Sequence, residues 1–439
     1  MNATVGALES WLPARGARSS DPAWLADERH RGLAEARRQG LPTQRHEAWR
    51  YTGLKPLLEK GFKAVSEVAA TITEGEIESV LVPGLDSYRI LMINGCYQPA
   101  LSVTDHPRAG MRIESLRHLV QHEPEIVRGL LAQAAEPDAR LFTALNTAAI
   151  DDGLVVLVDP DVAVDRPIEL IHLSTGIDEP RVAQPRHLVV LGDGARVSLI
   201  ERYVGIRGAL YCTNSVAEVI LGQGAHLVHH RIQAESPVAF HLSSLFVRQR
   251  AASGYHGVNI GFGSAWARTD LVARFDGPDA RCDFEGLYLA GDGQLIDYHL
   301  EVDHRIPQCT SREHFKGLLY GRGRAVFDGR VHVARDAQKT DAQMSNHNLL
   351  LSPNAEVDAK PQLEIYADDV KCSHGTTIGQ IDPERLFYLR SRGIPADQAR
   401  RILCLGFAGE ILDRLEPAAL REHVAEQVGA QLERTFAAS

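Results

Sequence analysis

Hydrophobic positions along the chain follow two rhythms, and the rhythm changes near residues 150 and 377. In residues 1–150 apolar residues recur at spacings of three and four, so this part reads as mostly helical. Asp21-Pro22-Ala23 supplies a capping residue and a proline at the first helical position. A helix is expected from there to about Arg38, and Gly40-Leu41-Pro42 stops it. A short strand is predicted at Tyr88–Ile93, ending in the turn Asn94-Gly95. Helical spacing returns between Ile113 and Ile150, at Leu116, Leu119, Val120, Ile126, Leu130 and Leu131.

Residues 151–377 are different. β-Branched residues alternate in short runs such as Arg186–Leu191 and Val216–Leu221, separated by Gly, Asp and Asn. No helix is predicted here. So many short strands make a barrel, a sandwich, a propeller or a β-solenoid. An internal echo favours the solenoid. Leu191-Gly192-Asp193-Gly194-Ala195 recurs thirty residues later as Leu221-Gly222-Gln223-Gly224-Ala225, and Gly254 lies thirty beyond Gly224. Gly291-Asp292-Gly293 recurs at the same offset as Gly321-Arg322-Gly323. Evenly spaced turns suit stacked coils, each burying its apolar face on the next.

Residues 378–439 return to helix. Asp382-Pro383-Glu384 opens one helix, Pro395-Ala396-Asp397 a second, and a third spans about Leu420–Phe436. These helices either cap the end of the solenoid or offer an apolar face to a partner.

Composition narrows the function. A chain of 439 residues with 44% apolar content can bury a large core. Its net charge of −10 disfavours broad nucleic-acid binding and docking on anionic membranes. No apolar run approaches the roughly 18 residues of a spanning helix. The first twenty residues lack the order of a secretory signal, so a cytoplasmic protein is expected. The six cysteines, at 96, 212, 282, 309, 372 and 404, are too far apart for a local CxxC site. Any metal site must gather distant ligands or borrow them from another chain. Local signatures of nucleotide binding, zinc proteolysis and serine hydrolysis are missing.

Two polar clusters remain. Asp297, His299, Glu301 and Asp303 alternate, so a strand would place them on one face, with His304, Cys309, Glu313 and His314 following. Such a face could bind a divalent metal or simply be solvated; a lyase-like enzyme would use Asp297, His299 and Asp303. In Lys371-Cys372-Ser373-His374 the thiol and the imidazole would share one side of a strand. That pair suits a soft or borderline metal. Two ligands cannot close a tetrahedral site, so this is either half of a shared site or a buried cysteine beside a hydrogen-bonded histidine.

The run from Lys360 to Gly379, containing Asp368-Asp369-Val370-Lys371-Cys372-Ser373-His374-Gly375, resembles the C-terminal signature of the SufB/SufD family of iron–sulfur cluster assembly scaffolds. Leu386–Ile394, Val326-Phe327-Asp328-Gly329, Asn348–Ser352 and Glu47-Ala48-Trp49-Arg50-Tyr51-Thr52 are also similar to that family. SufB members carry a reactive cysteine where Asn346 stands and a Glu-rich segment in place of Lys371–Gly375, so the resemblance is to the SufD branch. It implies a right-handed parallel β-helix between helical N- and C-terminal regions, and a scaffold without catalysis. It implies pairing with SufB and binding of the ATPase SufC through the C-terminal helices. His374 would be a ligand or near neighbour of a nascent iron–sulfur cluster, opposite a SufB cysteine, with Cys372 the second candidate. The cluster would be transient and shared, with no cofactor held tightly by the isolated chain. An exposed β-helix edge would also let two copies of the chain pair as a homodimer. A binding module with no ligand role is the rival.

Overall fold

The alternating runs become parallel strands, each paired with the strand one turn away. The computed structural model describes residues 6–12, 21–65, 72–105, 107–135, 140–176, 179–206 and 208–437. One sheet runs from Met111–Ser115 and Leu154–Val158 to Arg324–Val333 and Glu356–Ile365. The other runs from Tyr88–Ile93 and Ile168–Ser174 to Asp341–Leu350 and Lys371–Gly379. From Arg186 onward successive strands alternate between the sheets, giving a parallel β-solenoid of about seven turns.

The thirty-residue echo is one turn of this coil. Leu191 pairs with Leu221. The Asp193 carboxylate accepts the Gln223 N–H at 2.8 Å, and Asp292 does the same for Arg322 at 2.8 Å. Gly194 and Gly224 sit at φ of 72° and 65°, where a side chain would crowd the backbone. Gly254 departs from the expected pattern. It opens a strand opposite His226, and the place matching Gly224 belongs to Ala252, at φ 55°. This turn is two residues shorter: Arg196 pairs with His226, but His226 pairs with Gly254. The equal glycine spacing was therefore a coincidence of composition at that point.

The first 150 residues contribute strands as well as helices. The helix expected from Ile113 to Ile150 is broken into Leu116–His122, Pro124–Val127 and Leu141–Ala148. Its start is the strand Met111–Ser115, antiparallel to Leu154–Val158, and Pro124 opens a new helix because it cannot continue the old one. The helix Ala23–Gln39 forms as expected, but Asp21 ion-pairs with Arg29 rather than capping it. Arg29 in turn holds the Ile150 carbonyl at 2.9 Å.

Three apolar layers result. Inward residues of both sheets form the solenoid core, among them Leu199, Leu245, Phe284, Phe315 and Met344. The N-terminal helices cover the outside of the first sheet, where Leu25, Leu116 and Leu119 meet Val155 and Leu188. The C-terminal helices Ala396–Leu412 and Ala418–Ala437 cover the outside of the second. There Cys404, Ile411, Val424 and Val428 pack on Ile200, Val258, Leu287 and Leu318. Lys316 fastens this layer, donating to the Phe407 carbonyl at 3.1 Å and pairing with Glu410. The helices thus flank the solenoid and do not cap its end. An apolar stripe several strands long on the second sheet gives them more surface to bury than the final turn could. The strands Glu356–Ile365 and Lys371–Gly379 are left at the edges of their sheets.

Candidate functional site

The terminal strand Lys371–Gly379 pairs with Asp341–Leu350 on one side and presents a free edge on the other. Cys372 pairs with Ala342, His374 with Met344, and Thr376 with Asn346. Ala342 and Met344 belong to the solenoid core, so Cys372 and His374 continue its inward rows. They lie at the mouth because no further turn stacks on them. Cys372 is half-buried against the core and His374 is exposed. Burial raises the Cys372 thiol above its ordinary value; a hydrogen bond from the Ala342 backbone opposes this, and the nearby Asp341 carboxylate adds to it. Around the mouth, large apolar side chains face solvent: Ile365 at 40%, Tyr366 at 62% and Ile378 at 50%.

Asn346, where the resemblance marks a departure from SufB, is fully buried one turn in. It donates to the Tyr288 hydroxyl at 3.0 Å and accepts from Asn348 at 2.6 Å, so it serves packing.

The Asp297–His314 cluster does not come together. Its members are divided among three environments. Asp297, His299, Glu301 and Asp303 do share the outer face of the first sheet, but arginines occupy them. Arg268 reaches Asp297 at 3.3 Å, Arg140 and Arg330 reach Glu301 at 2.8 and 2.7 Å, and Arg305 and Arg274 reach Asp303 at 2.5 and 3.8 Å. This face seats the N-terminal motif. Thr52 donates to Asp297, Arg268 donates to the Ala48 carbonyl at 2.6 Å, and its guanidinium lies 3.9 Å from the Trp49 ring centre. Glu47 pairs with Lys360 in the last turn. His304 and Cys309 lie inside the solenoid. His314 faces out from the second sheet toward Glu410, at 3.3 Å. With guanidinium groups filling the carboxylate row, neither a metal nor a lyase centre fits there.

Sequence reading did not single out a deeper group. Among the described residues, His172, His187 and Glu201 bring donor atoms within 4.8 Å of one another, all buried. The tautomer argues against a metal. His187 Nδ1 accepts the Leu154 N–H at 3.0 Å, so the neutral ring carries its proton on Nε2, the atom that would have to ligate. A metal-bound histidine does the reverse, donating from its other nitrogen. Burial, with His172 beside it, pushes His187 down to about 3, which keeps it neutral. Glu201 is instead the hub of a charged core. Arg231 donates to it at 2.8 Å, Tyr203 also donates, and His229 lies 3.3 Å away. His229 and His230 face opposite ways, as strand neighbours must. His230 sits under the C-terminal helices and accepts the Glu416 N–H at 3.2 Å.

Comparison with known proteins settles the family. Residues 172–407 match the model of the SUF system FeS cluster assembly SufBD core domain, and residues 16–170 match the SufBD protein N-terminal region. The chain belongs to the SufBD family. Its SufBD relatives include the iron–sulfur cluster assembly protein SufD of Escherichia coli, 32% identical over 97% of both chains. A SufBD family protein of Synechocystis is 32% identical over 89% of this chain and 87% of its own. SufD of Bacillus subtilis is 27% identical over 67% and 68%. Similarity along nearly the full length to SufD makes this an iron–sulfur cluster assembly protein of the SufD type, in agreement with the signature around Cys372 and His374. Among the described residues no helix is long and apolar enough to cross a membrane.

Proposed function

We propose that this chain is a non-catalytic, cytoplasmic scaffold subunit that pairs through its open end with SufB and lends His374, with Cys372, to a cluster-assembly site shared between the two chains. The observation that carries this reading is the uncapped last turn. It combines a free strand edge, exposed Ile365, Tyr366 and Ile378, and a thiol and an imidazole on adjacent inward rows. A free edge with exposed apolar side chains is a surface for strand addition. Two donors make half a site, and a second chain can supply the rest. The nascent cluster is cargo here. This chain's part is to present a neutral imidazole and a thiol that loses its proton on ligation.

The C-terminal helices are the surface for the ATPase SufC. The helix Pro383–Ser391 leaves Phe387 at 73% and Tyr388 at 56% exposure, and Ile402 on the next helix at 42%. Apolar groups that large in one region favour a protein partner. The fold's own helix packing is complete without them.

Co-purification with SufB and SufC, followed by anaerobic cluster reconstitution, tests both parts. His374→Ala should leave the complex assembled and weaken metal retention about tenfold or more. A complex that forms with His374→Ala and keeps full cluster yield would instead support a binding module without a ligand role. Loss of assembly would make His374 structural.

A further inference from the structure

Behind the mouth, two strands in, lies a carboxyl that the fold leaves unpaired. Glu313 is 1% exposed, and neither of its oxygens has a hydrogen-bond partner. Among the described residues no cation is within ion-pair range of it. Neighbouring Arg312 turns away to Asp341, at 2.9 Å. Glu313 sits on the inward row that leads to the site: it pairs with Met344, and Met344 pairs with His374. Ser311 stands on the adjacent row, which runs from Cys282 through Ser311 and Ala342 to Cys372. The intervening Ala342 contributes only a methyl group. From the first sheet, His304 Nε2 lies 3.1 Å from Ser311 Oγ. The other groups around Glu313 are Cys282 and Asp283 on the preceding strand and Cys372 at the rim.

A buried carboxyl with no paired cation and no well-aligned donor stays neutral, since its anion would be poorly solvated. Burial pushes Glu313 up to about 8, opposed by the Ser311 hydroxyl and the Arg312 charge and reinforced by the nearby Asp283. Its place in the row gives this group a role. A dication bound by one thiolate leaves a net positive charge at the mouth. Two strand spacings, roughly 10 Å, separate that charge from Glu313.

We propose that Glu313 is a charge-compensating acid for the open end, neutral while Cys372 and His374 are free and ionised when a soft dication is seated on them. The proposal rests on reading those two residues as metal ligands. On loading, the Cys372 thiol releases one proton to solvent and the Glu313 carboxyl a further half proton or more at pH 7, a bond forms between Sγ and the metal, and no electron is transferred. At the effective dielectric of a protein interior, one net charge at that distance favours the Glu313 anion about tenfold.

Infrared difference spectroscopy on the full chain tests this. Mercuric ion is a suitable probe because it accepts two ligands, and a Cys96→Ser background removes the other partly exposed thiol. The spectrum at pH 7 should show a protonated-carboxyl band that is absent from Glu313→Gln. One equivalent of mercuric ion should reduce that band by half or more, and the wild type should release more protons than Glu313→Gln. Mercury bound at Cys372 with an unchanged carboxyl band would overturn the proposal and leave the ligand reading standing. Binding that survives both Cys372→Ser and His374→Ala would overturn the ligand reading and the proposal together. If Glu313→Gln does not fold, the wild-type band compared with that of Cys372→Ser decides the question.

Discussion

At the scale of the residue, burial gives polar groups different tasks according to what faces them. Arg186 and Glu218 are both fully buried and 2.7 Å apart, and Glu218 also takes the N–H groups of Ala132, Ala134 and Ala135. That satisfied network pins the N-terminal region to the first sheet. Glu313 has no such partners, so its proton is part of the folded state. Its raised folded value means that the folded chain binds a proton that the unfolded chain has lost. Stability on its account is therefore full below the ordinary glutamate range and declines as pH rises toward about 8. Replacing Glu313 by Gln should remove that decline. Urea unfolding at pH 5 and pH 8 should show the variant gaining on the wild type as pH rises. The gain should be on the order of 1 kcal/mol for each pH step over which only the folded chain keeps the proton. Equal slopes would mean that Glu313 is ionised in the fold.

At the scale of the element, the strand that matters for function is the least protected. The strand Lys371–Gly379 has a ladder on one side, whereas the strand Thr310–Leu319 has one on each. The C-terminal helices are held by an apolar face and by the Lys316–Glu410 clamp rather than by any ladder. Truncating a buried anchor in that face should loosen them as a unit. Ile411→Ala is expected to cost about 2–5 kcal/mol of local stability. Hydrogen exchange should then rise across residues 396–437 while the solenoid strands keep their protection. Uniform loss across the chain would show that the layer and the solenoid unfold together. Element boundaries were only partly legible in the sequence. The thirty-residue glycine echo marked true turns at Gly194 and Gly224, yet missed the shorter turn, where Ala252 takes the left-handed conformation. Helical spacing between Ile113 and Ile150 concealed a strand and a break, because apolar residues three and four apart can also belong to short helices that meet a sheet.

At the scale of the molecule, two helical layers cover the outer faces of the solenoid and leave one end open. A free edge with exposed Ile378 needs a companion or a charge to stay soluble. Ile378→Lys should therefore leave the isolated chain folded, by circular dichroism, and should sharply reduce co-purification with SufB. Unchanged pairing would move the interface elsewhere on the surface.

The local sequence by itself determined what depends on nearby residues: strand alternation, the thirty-residue coil, the C-terminal helices with the Asp382 cap of the first, and a thiol and an imidazole two residues apart on one side of a strand. It also carried the signature that identified the family. Only the tertiary structure decided which partners each polar group would meet. It showed that Asp297 to Asp303 receive arginines and the motif around Trp49, that the C-terminal helices lie along the flank, and that Glu313 stands behind His374. The reason is physical. Pairing register and burial are set by stacking turns about thirty residues apart, and no local pattern records which side chain will find a counter-charge and which will remain alone.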